Sequence, residues 1–294
     1  MNSMLPTKTA RNILAPTVLS LFLGIPGLVQ AQYLFTQVGV PGSTLTIVNA
    51  NSPHQIAGEF DGADGKRHGF VSNHGTFTQI DHPDAVVTAV NGINASGQLN
   101  GTFEDLAGST HSFFLGKGGF VTLDPPGSVR TQGGFINTQG TAVGTYRDAT
   151  QKRHGFLWRS GVYTTFNVPN DHPVLGTVAF GINDRGDVVG NYVDATGNRH
   201  GFLLSKGVYT TLDAPGAVIT IAEGINNSGE VAGLYLDSNF IAHGFVWSDG
   251  VFTTVDVPDS TWTEIHSINA TGEIVGTFDD ENGVTRGFIG SPVP

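Results

Sequence analysis

The tripeptide His-Gly-Phe begins at His68, His154, His200 and His243, with His111-Ser112-Phe113 and Arg286-Gly287-Phe288 as variants of it. The steps are 43 residues, lengthened once to 46. Ten residues before each stands a glycine: Gly58, Gly101, Gly144, Gly190, Gly233 and Gly276. Seven before the glycine stands an asparagine: Asn51, Asn94, Asn137, Asn183, Asn226 and Asn269. Six before that comes Thr88, Thr131, Thr177, Thr220 or Thr263, while the first unit is one residue shorter and offers Thr44 or Thr46. A period of this length marks a supersecondary unit that buries its apolar face only by stacking on its neighbours, which restricts the chain to a few repeat architectures.

Each unit reads as four short strands. In the fourth, Thr177 to Asn183 is followed by a turn at Asn183-Asp184-Arg185-Gly186, whose residues tolerate left-handed backbone. Asp187 to Asp194, Arg199 to Leu204 and Val208 to Asp213 follow as further strands, and Pro215 ends the last because proline cannot donate to a ladder. With 41 glycines and only 13% charged residues, the composition suits turns and strands rather than helices. Four antiparallel strands per period is the blade pattern of a β-propeller.

The strand count predicts a closed ring. First-to-third strand sets occur six times, and the sixth unit stops after its third strand, at Arg286 to Ile289. The missing fourth strand is matched at the other end, where Tyr33 to Pro41 follows the same pattern as Tyr209 to Pro215. The two termini would complete one blade and lock six blades together. A β-helix or another open stack is the alternative, but it needs no such offset and calls for polar capping repeats.

Gly-Ile-Asn, then Val-Val-Gly, then His-Gly-Phe-Leu-Trp resembles the bacterial extracellular repeat family named for its His-Ala-Phe (HAF) tripeptide, with Gly here in place of Ala. The resemblance covers nearly all of residues 33–290. It implies an exported bacterial protein and assigns no catalytic residue.

Export is also expected from the N-terminus. Lys8 and Arg11 precede an apolar stretch, Ile13 to Val29, broken by Pro16 and Pro26, and Val29-Gln30-Ala31 fits a cleavage site. Residues 1–31 therefore read as a signal peptide, in preference to a membrane anchor, and 32–294 as one propeller domain in a secreted or periplasmic protein. Removing Lys8 and Arg11 takes the net charge from −11 to −13. So acidic a surface argues against nucleic acid as partner and favours cations, basic proteins or neutral ligands. No later stretch is apolar for long enough to span a bilayer, so stable membrane insertion is not expected. The fold is expected to be a monomer. It has no cysteine, hence no disulfide and no thiolate ligand.

The repeated residues read as framework. The third strand lies two strands out from the channel, so histidines of neighbouring blades diverge and cannot share a metal ion. Asp105, Asp148, Asp194 and Asp237 lie six residues before His111, His154, His200 and His243, a spacing that brings them together across a hairpin. In the sixth unit Asp280 remains while Arg286 replaces His, keeping the carboxylate bond and losing a metal ligand. The first unit departs, with Gly62 at the aligned position beside Asp61. Phe70, Phe156, Phe202 and Phe245 are expected between blades, with Trp158 and Trp247 as packing residues. Asp81, Asp124, Asn167, Asp213 and Asp256 are expected to cap the turn towards the next blade. The Asn94 and Asn269 triplets match a glycosylation acceptor but read better as the repeated turn.

Function is expected where the repeat is broken. Three residues before the repeated Asn the units read Val48, Asn91, Gly134, Phe180, Glu223 and His266; five before, units two to six read Ala89, Gln132, Val178, Ile221 and Glu264. These lie on the innermost strand. Asn91, Gln132, Glu223, Glu264 and His266 are thus candidate channel residues, and Trp262 is a candidate rim residue for stacking on a sugar or covering the closing blade. The rim also carries a three-residue insertion at Asn170-Asp171-His172-Pro173. The metal is not specified. A divalent cation such as calcium is the cofactor to consider, although the loops at Asp61-Gly62-Ala63-Asp64-Gly65 and Asp279-Asp280-Glu281-Asn282-Gly283 lack a full calcium ligand set. No nucleophile elbow, zinc-protease helix or phosphate loop is present. A non-catalytic module binding carbohydrate or protein is therefore expected first. The alternative is a metal-assisted carbohydrate or lactone lyase or hydrolase built on the channel residues.

Overall fold

The computed structural model describes residues 33–293 together with the backbone of Val29–Gln30, which pairs parallel with Thr253–Thr254. The expected signal segment otherwise lies outside the described residues. The chain is an all-β, six-bladed β-propeller. Taking the innermost strand first, blade 4 is Thr177–Ile182, Val188–Val193, Arg199–Ser205 and Val208–Leu212, each antiparallel to the next. The other blades repeat this order, beginning with inner strands Leu45–Asn51, Ala85–Ile93, Ser128–Ile136, Ile219–Ile225 and Trp262–Ile268. No helix among the described residues is long and apolar enough to cross a membrane.

Blade 6 closes as the strand count requires. Its fourth strand is Tyr33–Val38, running antiparallel to Thr285–Pro292 with Val38 opposite Gly287. The buried side chains confirm a ring: they form six clusters, one at each of the six junctions between blades. The cluster at the seam joins Val275 and Val38 of blade 6 to Val48, Phe60 and Phe70 of blade 1. An open array of six blades would have only five such junctions. Phe70, Phe113, Phe156, Phe202, Phe245 and Phe288 are all fully buried, one per blade. Each such burial contributes roughly 1.5–3 kcal/mol.

The repeated polar residues knit the ring. Asn94 Nδ2 donates to the Asn137 carbonyl, Asn137 to Asn183, Asn183 to Asn226 and Asn226 to Asn269, at 2.8–3.1 Å. The chain of amides stops there because the repeat alignment at Asn51 is one residue out. Strand pairing sets Ser52, not Asn51, at the ladder position, and the shortening of unit 1 lies in its first turn, Ser52 to Gln55. Asn51 instead reaches back across the seam to the Glu273 carbonyl at 2.8 Å and accepts from Ser267 Oγ at 2.8 Å.

Thr46, rather than Thr44, is the first of the repeated threonines. Its hydroxyl accepts from Val40 N, as Thr88 does from His82 N, Thr177 from Val168 N, Thr220 from Ala214 N and Thr263 from Val257 N. Thr131 is the exception, buried with its hydroxyl unpartnered. The residue at the donating position there is Pro125, which has no N–H.

The glycine of the second strand is a steric requirement. A Cβ on Gly58, Gly190, Gly233 or Gly276 would lie 1.9–2.0 Å from a carbonyl oxygen of the inner strand.

Candidate functional site

The histidines of the third strand are framework, as their spacing predicts. The Asp–His pairs lie at 3.4 Å (Asp105–His111), 3.1 Å (Asp148–His154) and 3.3 Å (Asp194–His200), with Asp237–His243 at 4.0 Å and Asp280–Arg286 at 3.5 Å. The six-residue spacing has a local cause. Each aspartate also folds the hairpin turn, its Oδ1 accepting from backbone N–H groups two and four residues on, as Asp194 does from Thr196 and Asn198. In blade 1, where Gly62 has no side chain, Asp64 takes the place at 3.1 Å from His68 and Asp61 binds Arg67 instead.

The fourth-strand aspartates do not cap the turn to the next blade. They bind the other ring nitrogen of the same histidines: Asp81 with His68, Asp124 with His111, Asp213 with His200 and Asp256 with His243, at 2.7–2.9 Å, and Asn167 with His154 at 2.9 Å. Each histidine thus sits between two polar partners over a Phe or Tyr ring of the second strand. Burial works against the charged form of His68, His111 and His200, and the flanking carboxylates outweigh it, so all three are held above the ordinary histidine value. In His68, His111, His154 and His200 both nitrogens are hydrogen-bonded, while in His243 Nδ1 binds Asp256 and Nε2 stands 4.0 Å from Asp237, beyond hydrogen-bond reach. The two loops of calcium-like composition are occupied in the same way, Asp61 by Arg67, and Asp280 by its own turn amides and Arg286.

The exceptions to the repeat do converge. Asn91, Gln132, Glu223, Glu264 and His266 line one cavity of about 460 Å³ in the channel. Its walls come from the inner strands, where a bulge turns one extra residue inward. The register shifts between Val90 and Gly92, Ala222 and Gly224, and Ile265 and Ser267, leaving Asn91, Glu223 and His266 out of the ladder. In blade 1 the bulge residue is Asn49, not Val48; Val48 is fully buried at the seam, while Asn49 lines the cavity and donates to the Val90 carbonyl at 3.0 Å.

Glu223 and His266 meet across the junction of blades 5 and 6, with His266 Nδ1 2.8 Å from Glu223 Oε2. His266 Nε2 lies 3.2 Å from Thr277 Oγ1, so both ring nitrogens are engaged. Burial disfavours the imidazolium, but the Glu223 carboxylate outweighs it and raises His266 to about 9. Burial, reinforced by Glu223, pushes the Glu264 carboxyl up to about 7. Burial also raises Glu59, on the second strand of blade 1, against the pull of Arg67 at 3.7 Å. Ligand atoms of Glu223, Glu264 and His266 lie within 4.8 Å of one another. One nitrogen and two carboxylates would suit a borderline divalent ion better than calcium, which prefers oxygen alone. The pairing of His266 with Glu223 and Thr277 already occupies the nitrogen such an ion would need.

Trp262 stands beside this group without lining the cavity; its indole N–H points to Glu264 Oε2 at a long 3.5 Å. The rim insertion is tied down by Asp171, which binds Lys152 at 2.8 Å and accepts from Thr177 Oγ1 at 2.7 Å.

Several cavity residues fall outside the inner-strand positions. Thr102, Thr145 and Asn191 follow the repeated glycine on the second strand, and Arg153 and Arg199 precede the histidine on the third. Phe135, Val178, Phe180 and Ile221 add an apolar wall. The signal was present in the variation of Arg67, Thr110, Arg153, Arg199 and Ala242 before each histidine, and of Thr285 before Arg286, a variable position next to a uniform one. A second cavity, also about 460 Å³, opens on the opposite rim at the seam, between His54, His74, Gln37 and Glu273.

No family model matches the chain, and no curated protein matches it. Solved structures do. A fucose-recognising lectin from Aleuria aurantia, a six-bladed β-propeller, is 11% identical with a TM-score of 0.50, covering 88% of this chain and 98% of its own. AofleA from Arthrobotrys oligospora is 11% identical with a TM-score of 0.51, covering 90% and 84%. The β-propeller domain of the Trilobed protease from Pyrococcus furiosus is 8% identical with a TM-score of 0.51, covering 84% and 95%. At such identities the likeness establishes the fold.

Proposed function

We propose that this protein is a carbohydrate-binding propeller whose ligand enters the channel mouth. The observation that carries the reading is the cavity of about 460 Å³, where six amide- or hydroxyl-bearing side chains (Asn49, Asn91, Thr102, Gln132, Thr145 and Asn191) surround an apolar wall. A sugar offers the same combination, with hydroxyls on its edge and an apolar ring face, and the volume lies in the range of small-ligand sites. The lectin character of the Aleuria aurantia propeller is consistent with this use of the fold. The test is a glycan array followed by titration calorimetry. Saturable binding of a saccharide is expected, weakened about tenfold by Gln132→Ala or Asn91→Ala at unchanged melting temperature. Absence of any saccharide binding, or binding indifferent to both substitutions, would refute it.

A catalytic reading rests on a different observation. Glu264, raised to about 7, is poised between its two forms near neutrality beside the Glu223–His266 pair, which suits a general acid. It predicts slow cleavage of a bound saccharide, abolished by Glu264→Gln with binding retained. Binding without turnover in the wild type would leave the module non-catalytic.

A further inference from the structure

We propose that the ligand of the channel mouth is an anionic saccharide, with its carboxylate or sulfate held by Arg153 and Arg199. The inference rests on the carbohydrate reading above and names the class of sugar.

Arg153 and Arg199 open the third strands of blades 3 and 4 and line the same cavity. Both are half-buried, and among the described residues neither has a carboxylate within 4.0 Å. Arg130, Arg147 and Arg159 lack one too, but of the unpaired arginines only Arg153 and Arg199 line the cavity. Arg67 occupies the same place in blade 1 and does have partners, Asp61 at 2.8 Å and Glu59 at 3.7 Å. Arg185 and Arg286 are also paired, with Asp187 and Asp280. The two cavity arginines are therefore left without the counter-ions that their blade 1 equivalent, Arg67, has. Burial, followed by repulsion from Arg147, Arg199 and Arg130, lowers the Arg153 value, so the cluster is strained by its own charge. A ligand anion relieves both effects, and the planar guanidinium fork matches a carboxylate or sulfate.

The rest of the cavity fixes where the anion lies. Glu264 and His266 are on blade 6, which stands across the ring from blade 3, and Glu223 is on blade 5. That side, where the His266 cation already answers Glu223, offers no free cation to a second anion and presents carboxyl oxygens to hydroxyl groups. The apolar wall of Phe135, Val178, Phe180 and Ile221 is suited to a ring face. A sugar with one charged end and a neutral, hydroxyl-bearing end satisfies all three surfaces. A neutral sugar leaves the arginines unanswered, and a free inorganic anion leaves the other two surfaces unused.

The test is titration calorimetry of the purified protein with a disaccharide of one uronic acid and one neutral sugar, its methyl ester, a singly sulfated disaccharide and inorganic sulfate. At least one of the two acidic sugars is expected to bind about tenfold or more tightly than the neutral ester and than sulfate alone. That advantage should shrink at high salt and disappear in Arg153→Gln and Arg199→Gln, but not in the exposed control Arg159→Gln. The salt series on the wild type decides the question even if a variant fails to fold. Equal binding of acidic and neutral sugars, with no salt effect, overturns the inference and leaves the carbohydrate reading standing. Sulfate binding as tightly as the sugars overturns the saccharide class. No binding of any sugar overturns both.

Discussion

His266 Nδ1 and Glu223 Oε2 lie 2.8 Å apart across the junction of two blades, joining residues 43 positions apart at the wall of the channel. The pair couples the packing of blade 5 against blade 6 to the protonation of one imidazole, which Glu223, Glu264 and Glu59 all face. Its folded-state value, about 9, lies above the ordinary 6.5. The stabilisation is therefore complete below pH 6.5 and is lost as pH rises through about 9. Thermal melts across this window should show a falling melting temperature. His68, His111, His200 and His243, also raised, act in the same direction. The difference between wild type and His266→Gln isolates the channel pair: the variant should show a shallower decline. Parallel curves would remove the charge from His266.

If the third-strand histidines serve as carboxylate partners, arginine should replace them, as Arg286 does in blade 6. His200→Arg is expected to stay within about 1 kcal/mol of wild type in urea unfolding, because Asp194 and Asp213 keep a cation between them. His200→Leu should cost about 1–3 kcal/mol by leaving both carboxylates without their donor. The reverse order would mean that the imidazole itself is required.

Removing a rung of the amide ladder should be costly, because each rung is buried and hydrogen-bonded. Asn183 is 3% exposed; it accepts from Arg185 N and Asp187 N and donates to the Asn226 carbonyl. Asn183→Ala leaves these groups unsatisfied, and a loss of about 2–4 kcal/mol is expected by denaturant titration. The exposed Thr196→Ala serves as the control.

Gly190→Ala should be more damaging still, since its Cβ would lie 2.0 Å from the Val178 carbonyl oxygen and 2.7 Å from Phe202. Backbone cannot yield there without separating the inner strand from its partner. A cost of about 3 kcal/mol or more is expected, seen as loss of soluble protein or a steep drop in melting temperature.

The repeat made the ring legible because each framework residue solves the same local problem six times. Asn, Gly, His and Phe recur where a turn, a close approach, a hairpin and a junction recur, and the strand-order offset at Tyr33 follows from counting. The inner-strand exceptions were legible for the same reason, since Asn91, Gln132, Glu223, Glu264 and His266 interrupt a pattern that points inward. What the spacing did not carry was anything set by a gap in the alignment or by reach. Asn51 looked like the first rung because the deletion in its turn falls one residue later. The fourth-strand aspartates looked like caps because their histidines are 13 residues upstream on another strand. Arg153 and Arg199 look like strand ends in sequence and become channel residues only through long side chains at the rim.

The most direct test of the account is a crystal structure of the protein soaked with a disaccharide of one uronic acid and one neutral sugar. Density in the channel mouth, with the carboxylate against Arg153 and Arg199 and hydroxyls towards Glu264 and Gln132, is the predicted result. A sugar seated only at the blade 6–blade 1 seam, beside His54 and His74, or an empty channel at saturating ligand, would contradict it.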